Sequence, residues 1–124
     1  MIQLDTNLLI EMLRAGSQAD LQVRRWLRDS EEIATSAIAW GEFLCGPLGQ
    51  SQLDLLRELL SQVVSIDEND AVEAARLFND AGRRRGTFQD CLIAAVALRS
   101  GAALATRNNA DFSRFEKFGL QLVG

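Results

Sequence analysis

The tightest constraint on the fold is an alternation: short apolar stretches, each only a few residues long, give way to polar turns and then to segments with helical periodicity. Ile2 to Leu4 runs into Asp5-Thr6-Asn7 and the helical LLIEMLR, which Ala15-Gly16 ends. Ile33 to Thr35 leads to Ser36, a natural N-cap for AIAWGEFLC, which Gly46-Pro47 stops. Val63, Val64 and Ile66 form a β-branched strand, and Asp67 to Asn69 open the long helix AVEAARLFNDAGRRR, ended by Gly86. Thr87 stands where an N-cap for FQDCLIAAVALRS belongs, with Gly101 as the stop. Ala102 to Thr106 reads as a buried strand, RNNADF and a short helix around Phe112 to Phe115 follow, and Leu120 to Val123 supply an edge strand. Two more amphipathic helices lie at Ser17 to Asp29 and about Ser51 to Leu60. Strands separated in this way by helices, five apolar stretches in all, predict an α/β protein: a parallel sheet covered on both faces, a three-layer α/β/α sandwich.

At 124 residues, 48% hydrophobic and 24% charged, with one Pro and no repeat or biased tract, residues 1–124 read as a single globular domain. The net charge of -4 excludes a polycation built to bind nucleic acid indiscriminately, so any polyanion must be held locally. No histidine is present, which removes the usual general base, the Ser-His-Asp triad, the Cys-His pair and His-containing zinc sites. Cys45 and Cys91 both sit in apolar helical contexts and are expected to be buried free thiols. The N-terminus reaches Asp5 without a signal peptide, and no apolar run approaches the ~18 residues of a membrane span, so a reducing cytoplasm is expected.

Carboxylates are therefore the groups left to do chemistry, and four stand out. Asp5 directly follows the first strand, at the carboxyl end of the sheet where α/β proteins place ligands; capping the next helix is its alternative role, one that Asn7 could fill. Glu42 lies mid-helix among Ile38, Trp40, Phe43 and Leu44, too far from Ser36 to cap, where an unpaired carboxylate is costly to bury. Asp90 has capping-box spacing from Thr87, but it also opens the deeply apolar CLIAAVAL, whose first turn must emerge near Asp5 and whose N-terminus favours an anion. Asp111 follows the late strand within T-R-N-N-A-D-F, with capping of Phe112 as the alternative. Asp20, Asp29, Glu31, Glu32, Asp54, Glu58, Asp67, Glu68, Asp70, Glu73, Asp80 and Glu116 fall on amphipathic faces or at helix starts and are expected in solvent.

Four acids from four segments near one sheet edge need cations to stay ionised together. Oxygen-only ligands select Mg²⁺ or Mn²⁺, and the implied chemistry is metal-assisted phosphodiester hydrolysis with one or two ions per site. A haloacid-dehalogenase-like phosphatase would need a second acid where Asn7 stands. A phosphoacceptor signalling module would need paired acids after the first strand and an earlier Lys than Lys117. A non-catalytic scaffold binding RNA or protein would need no divalent ion.

The strings LDTN with Asp5, SAIAWGEF with Glu42, DCLIAA with Asp90 and TRNNADF with Asp111, in this order across the whole chain, resemble the PIN-domain nucleases, and within them the VapC-type toxins of bacterial toxin–antitoxin pairs. The resemblance implies a PIN-like α/β/α domain and an Mg²⁺- or Mn²⁺-dependent endoribonuclease that cuts RNA. It implies that Asp5, Glu42, Asp90 and Asp111 form the catalytic, metal-binding quartet, Asp5 and Asp90 holding the principal ion and Glu42 and Asp111 its waters or a second ion. Thr6, Asn7, Thr106 and Asn108 would be nearby polar support. A homodimer silenced by a small VapB-type antitoxin, whose tail fills the site, is implied as well.

Twelve of the 13 basic residues are Arg, the side chain suited to gripping phosphate. Arg83, Arg84 and Arg85 stand either at a helix C-terminus, compensating its dipole, or against RNA phosphates, and Arg107 lies in the last motif. Arg24, Arg25 and Arg28 form a second cluster. Trp40 is expected in the core, with Trp26 left between core and base stacking.

Overall fold

A computed structural model describes residues 1–124. Five short strands, β1 (Ile2–Leu4), β2 (Ile33–Ser36), β3 (Val63–Val64), β4 (Ala103–Ala105) and β5 (Leu122–Val123), form one sheet in the order β3-β2-β1-β4-β5. Every pairing is parallel, with Ile2 opposite Ile33 and Ala103, and Gln3 opposite Ala34 and Leu104. The helices are α1 (Thr6–Met12), α2 (Gln18–Arg28), α3 (Ala37–Leu44), α4 (Gln50–Leu59), α5 (Glu68–Asp80), α6 (Phe88–Arg99) and α7 (Asn109–Phe112), and a 3-10 turn at Ser113–Phe118 precedes β5. None is long and apolar enough to cross a membrane.

Two apolar cores sandwich the sheet, as the alternation of side chains along each strand requires. On one face Ile2, Leu4 and Ile33 meet Leu8, Leu9 and Met12 of α1, Val23 of α2, Trp40 and Phe43 of α3 and Leu56 of α4. On the other, Leu104 meets Leu77 of α5, the alanine-rich face of α6, and Phe112 and Phe115 beyond β4. Helix α6 is buried at Cys91 and at every residue from Ile93 to Ala97, the environment that CLIAAVAL implied. Trp40 is core, stacked on Phe43 and covered by the Arg57 guanidinium 5.3 Å away, and half-buried Trp26 packs against the same cluster. Gln3 is a polar exception in this filling: it is buried, and neither atom of its amide has a partner, a cost of about 1–3 kcal/mol per orphaned group.

Four expectations fail, each for a local reason. Helix α5 stops at Asp80 rather than running through Arg85. Gly82, at φ 97°, takes the left-handed position past the helix end, and the Arg83 N–H returns to the Phe78 carbonyl at 2.9 Å, closing a Schellman motif. The three arginines consequently lie in a turn, with Arg83 itself at φ 55° and Gly86 at 79°; Arg83 closes the C-terminal motif of α5, and Arg84 and Arg85 lie beyond it. Thr87 stands at the N-cap of α6 as expected, but its side chain makes no capping bond: its hydroxyl donates back to the Arg84 carbonyl, so no capping box forms and Asp90 is released from that role. Cys45 is exposed, because the buried stripe of α3 is Ala39, Trp40 and Phe43, and Cys45 follows on the outer side; only Cys91 is buried. Ile66 falls outside β3 and is exposed.

Candidate functional site

The sequence DTN after β1 builds the centre. Asp5 stops the strand, its backbone N–H pairing with the Ala105 carbonyl at 2.9 Å, and caps α1 through an Oδ1 that accepts the Thr6 N–H at 2.8 Å. Its Oδ2 accepts the Thr106 hydroxyl at 2.8 Å, and the Thr106 oxygen in turn accepts the Asn108 N–H at 3.0 Å. The capping role of Asp5 is thus observed, and the residue is only 4% exposed. Asn7 is no cap: its side-chain oxygen accepts the Arg107 N–H at 3.2 Å and ties the loop after β4 to α1. Asn108 contributes its backbone, and its side chain lies exposed.

Ser36 caps α3 by accepting the Ala39 N–H at 3.2 Å, and that fixes the phase of the helix so that Glu42 turns toward Asp5. The Glu42 carboxylate accepts the Thr6 hydroxyl at 3.3 Å. Asp90 lies in the first turn of α6 and Asp111 in α7, where it caps nothing. Desolvation raises the Asp90 carboxyl above its ordinary range; the Asp5, Asp111 and Glu42 charges add to this, and Arg114 opposes it. Burial raises Asp5 despite hydrogen bonds from Thr106 and Thr6, and burial with the Asp5 charge raises Glu42 despite the bond from Thr6. Asp90 therefore feels the charges of the other three carboxylates, and Glu42 that of Asp5. None of the four is in a salt bridge. No three of them close into a ready-made ligand cage.

Two functional candidates have no place in the sequence reading. Glu11, one helical turn beyond Asn7, pairs with the Arg107 guanidinium, which keeps a buried Nη2 without partner. Their separation of 96 residues hides the pair, although the four-residue step from Asn7 puts Glu11 on the same face of α1. Arg114 follows Asp111 by three residues, lies over the Phe115 ring at 4.5 Å, and holds Nε and Nη2 buried without acceptors. Arg83, Arg84 and Arg85 stand apart: Arg83 bonds to Asn79 and covers Phe78, and none of the three touches a carboxylate of the cluster. Asp70, expected in solvent, is 1% exposed and bridged by Arg99.

Beside Glu42 a groove of about 740 Å³ opens between α1, α3 and the loop at Gly46 to Leu48. Asn7, Glu11 and Arg107 line its polar side, and Ile10, Phe43 and Leu48 its apolar side; Ile10 is 57% exposed.

With this geometry in view, the chain matches the PIN domain family over residues 2–118. It is 39% identical over 122 residues to Ribonuclease VapC11 of Mycobacterium tuberculosis, covering 90% of this chain and 89% of that protein. Among solved structures it resembles a chain in the crystal structure of VapBC2 from Rickettsia felis bound to a DNA fragment from the promoter, with a TM-score of 0.80, 24% identity, and coverage of 99% and 98%. It also resembles a chain of a toxin-antitoxin complex from Klebsiella pneumoniae, with a TM-score of 0.73, 26% identity, and 91% of each chain covered. The parallel sheet in the order 3-2-1-4-5, the acids at its carboxyl edge and a match spanning nearly every residue agree, and the chain belongs to the PIN-domain family.

Proposed function

We propose that this protein is a metal-dependent endoribonuclease of the VapC type, a toxin neutralised by a VapB-type antitoxin, with Asp5, Glu42, Asp90 and Asp111 as its catalytic and metal-binding residues. One observation carries the reading: carboxylates from four segments gather at one sheet edge, none of them in a salt bridge and only Asp90 eased by a nearby cation, Arg114, at an electrostatic cost that a bound cation would remove. The ribonuclease name of the 39% identical relative supports the activity, and the toxin-antitoxin neighbours support the partner.

The donor set fits Mg²⁺ or Mn²⁺. It is oxygen only, the ligand chemistry of hard ions that keep most of their waters and use one or two carboxylates plus substrate phosphate. A divalent ion there supplies Lewis acidity and counter-charge to the phosphoryl group during attack by water. The rest falls to the chain. Thr6 and Thr106 fix the two Asp5 oxygens, and Thr6 also steadies Glu42, so that these carboxylates are oriented before any ligand arrives. Asp90 presents its charge at the α6 N-terminus. Arg107, steered by Glu11, and the turn Arg83 to Arg85 offer cations for RNA phosphates outside the acidic centre. The groove beside Glu42, apolar on one wall and polar on the other, where Glu11 and Arg107 pair, suits an amphipathic antitoxin segment that ends at the site. A homodimer, as the VapC likeness implies, and a reducing cytoplasm, consistent with two free thiols, complete the reading.

The purified protein is expected to cut a susceptible RNA with Mg²⁺ or Mn²⁺ and to stop in EDTA. Asp5→Asn or Asp90→Asn should cost at least ~100-fold in kcat with the fold intact by circular dichroism. Cleavage that persists in EDTA, or in both variants, refutes the proposed chemistry.

A further inference from the structure

The turn that ends α5 leaves an aromatic side chain in an unusual setting. Phe88, the first residue of α6, is 43% exposed, whereas Phe43, Phe112 and Phe115 are fully buried. It is held without being covered: its ring packs in a T shape against Phe78, centroids 6.2 Å apart and planes at 78°. The Arg83 guanidinium lies over that same Phe78 ring at 5.8 Å. Arg84 and Arg85, both exposed, follow Arg83 in the same turn, and none of the three arginines has a carboxylate in a salt bridge. Arg24, Arg76, Arg99 and Arg107 are paired with acids, whereas Arg83, Arg84 and Arg85 are among the basic residues that are not, and they follow one another in the turn just before this half-open ring.

We infer that Phe88 is a base-stacking platform for single-stranded RNA, with Arg83, Arg84 and Arg85 gripping the adjoining phosphates, so that this patch positions the strand whose scissile bond lies at the acidic cluster. This rests on the ribonuclease reading and adds a substrate-positioning residue to it. The charge complement is a polyanion, and an open aromatic face among arginines suits a polyanion that carries flat rings. Phe88 and Asp90 are two residues apart in the first turn of α6 and leave the helix on opposite sides, so a strand held by both crosses the N-terminus of α6. The backbone of the turn is already set, with Gly82, Arg83 and Gly86 at positive φ and the Thr87 hydroxyl closing onto the Arg84 carbonyl.

The test compares Phe88→Ala, Phe88→Leu and Phe88→Tyr with the unsubstituted protein. One arm measures binding of a fluorescent single-stranded RNA oligonucleotide in EDTA; the other measures cleavage with Mn²⁺. Ala and Leu are expected to weaken binding about tenfold or more and to raise KM with kcat little changed, while Tyr, which keeps the ring, retains both. Leu still packs on Phe78, so a loss shared by Ala and Leu but not Tyr separates stacking from folding. In a series of oligonucleotides lacking one base at successive positions, the Ala penalty should vanish at one position. Unchanged RNA binding by the Ala and Leu variants, a penalty present at every abasic position, or a change in oligomeric mass on substitution overturns the stacking role and leaves the nuclease reading standing. Failure of the unsubstituted protein to bind or cut RNA overturns both.

Discussion

Asp5 is oriented by two neutral donors, and the more distant of them is the hydroxyl of Thr106, 101 residues along the chain. That hydroxyl joins the first strand to the fourth at the point where both end, and it also accepts the Asn108 N–H, so one buried oxygen sets the carboxylate and the start of the last motif loop. Replacing it with Val keeps the shape and removes both bonds. Thr106→Val is expected to lower kcat/KM or the Mn²⁺ affinity about 10- to 100-fold, as loss of an outer partner does at metal sites, and Thr106→Ser to recover most of it. Steady-state kinetics across a Mn²⁺ titration separates the two effects. At this scale the sequence was informative where a residue's neighbours in the chain decide its place: Asp5 after a strand and Glu42 mid-helix among apolar side chains. It was silent where the partner is remote. Nothing near Asp70 announces Arg99, and nothing near Glu11 announces Arg107.

Helices α5 and α6 form the most extensively packed pair in the molecule, and they are locked at the far end from Asp90 by Arg99. Its guanidinium donates to both Asp70 oxygens at 2.7 and 2.9 Å and to the Ser65 carbonyl at 2.7 Å. Burial alone would raise Asp70, but hydrogen bonds from Arg99 and the Asp67 backbone, with the Arg99 charge, outweigh it and hold the carboxyl below its ordinary range. Arg99→Ala leaves Asp70 buried without its cation. Chemical denaturation should show a loss of about 2 kcal/mol, less than the ~3–5 of a wholly buried pair because the arginine is partly exposed. Helix starts with a small polar cap were legible at this scale: Ser36 and Asp67 cap as their sequences indicate. The end of α5 was not, because Ala81-Gly82-Arg83 continues a helical pattern and only the left-handed turn at Gly82 breaks it. Thr87 misled for a related reason: the turn it closes backwards, onto Arg84, competes with the cap.

Across the whole molecule the strand order was accessible as a class, since alternating strands and helices admit little besides a parallel sheet covered on both faces; the position of β1 at its centre came only with the structure. Outside the quartet the chain carries 13 acids and 13 bases, so the net charge of -4 equals the formal charge of the cluster. That cluster should dominate the pH dependence of stability above about pH 4, the ordinary range of free Asp and Glu. Asp5, Glu42 and Asp90 have folded values raised above their unfolded ones, so between the two the native state holds more protons, and stability falls as pH rises through the folded values. Asp70 and Asp20, whose values are lowered, act in the other window, losing their contribution only as pH falls below about 4.

Thermal unfolding followed from acid to neutral pH, in EDTA and in saturating Mn²⁺, puts the cation site itself to the test. In EDTA the melting temperature should drop as pH rises and the cluster ionises; Mn²⁺ should raise it most at neutral pH, where the carboxylates are charged, and Asp90→Asn should flatten the first curve and diminish the second effect. Curves that superimpose with and without Mn²⁺, or an Mn²⁺ effect untouched by Asp90→Asn, would contradict a divalent-ion site at these four acids.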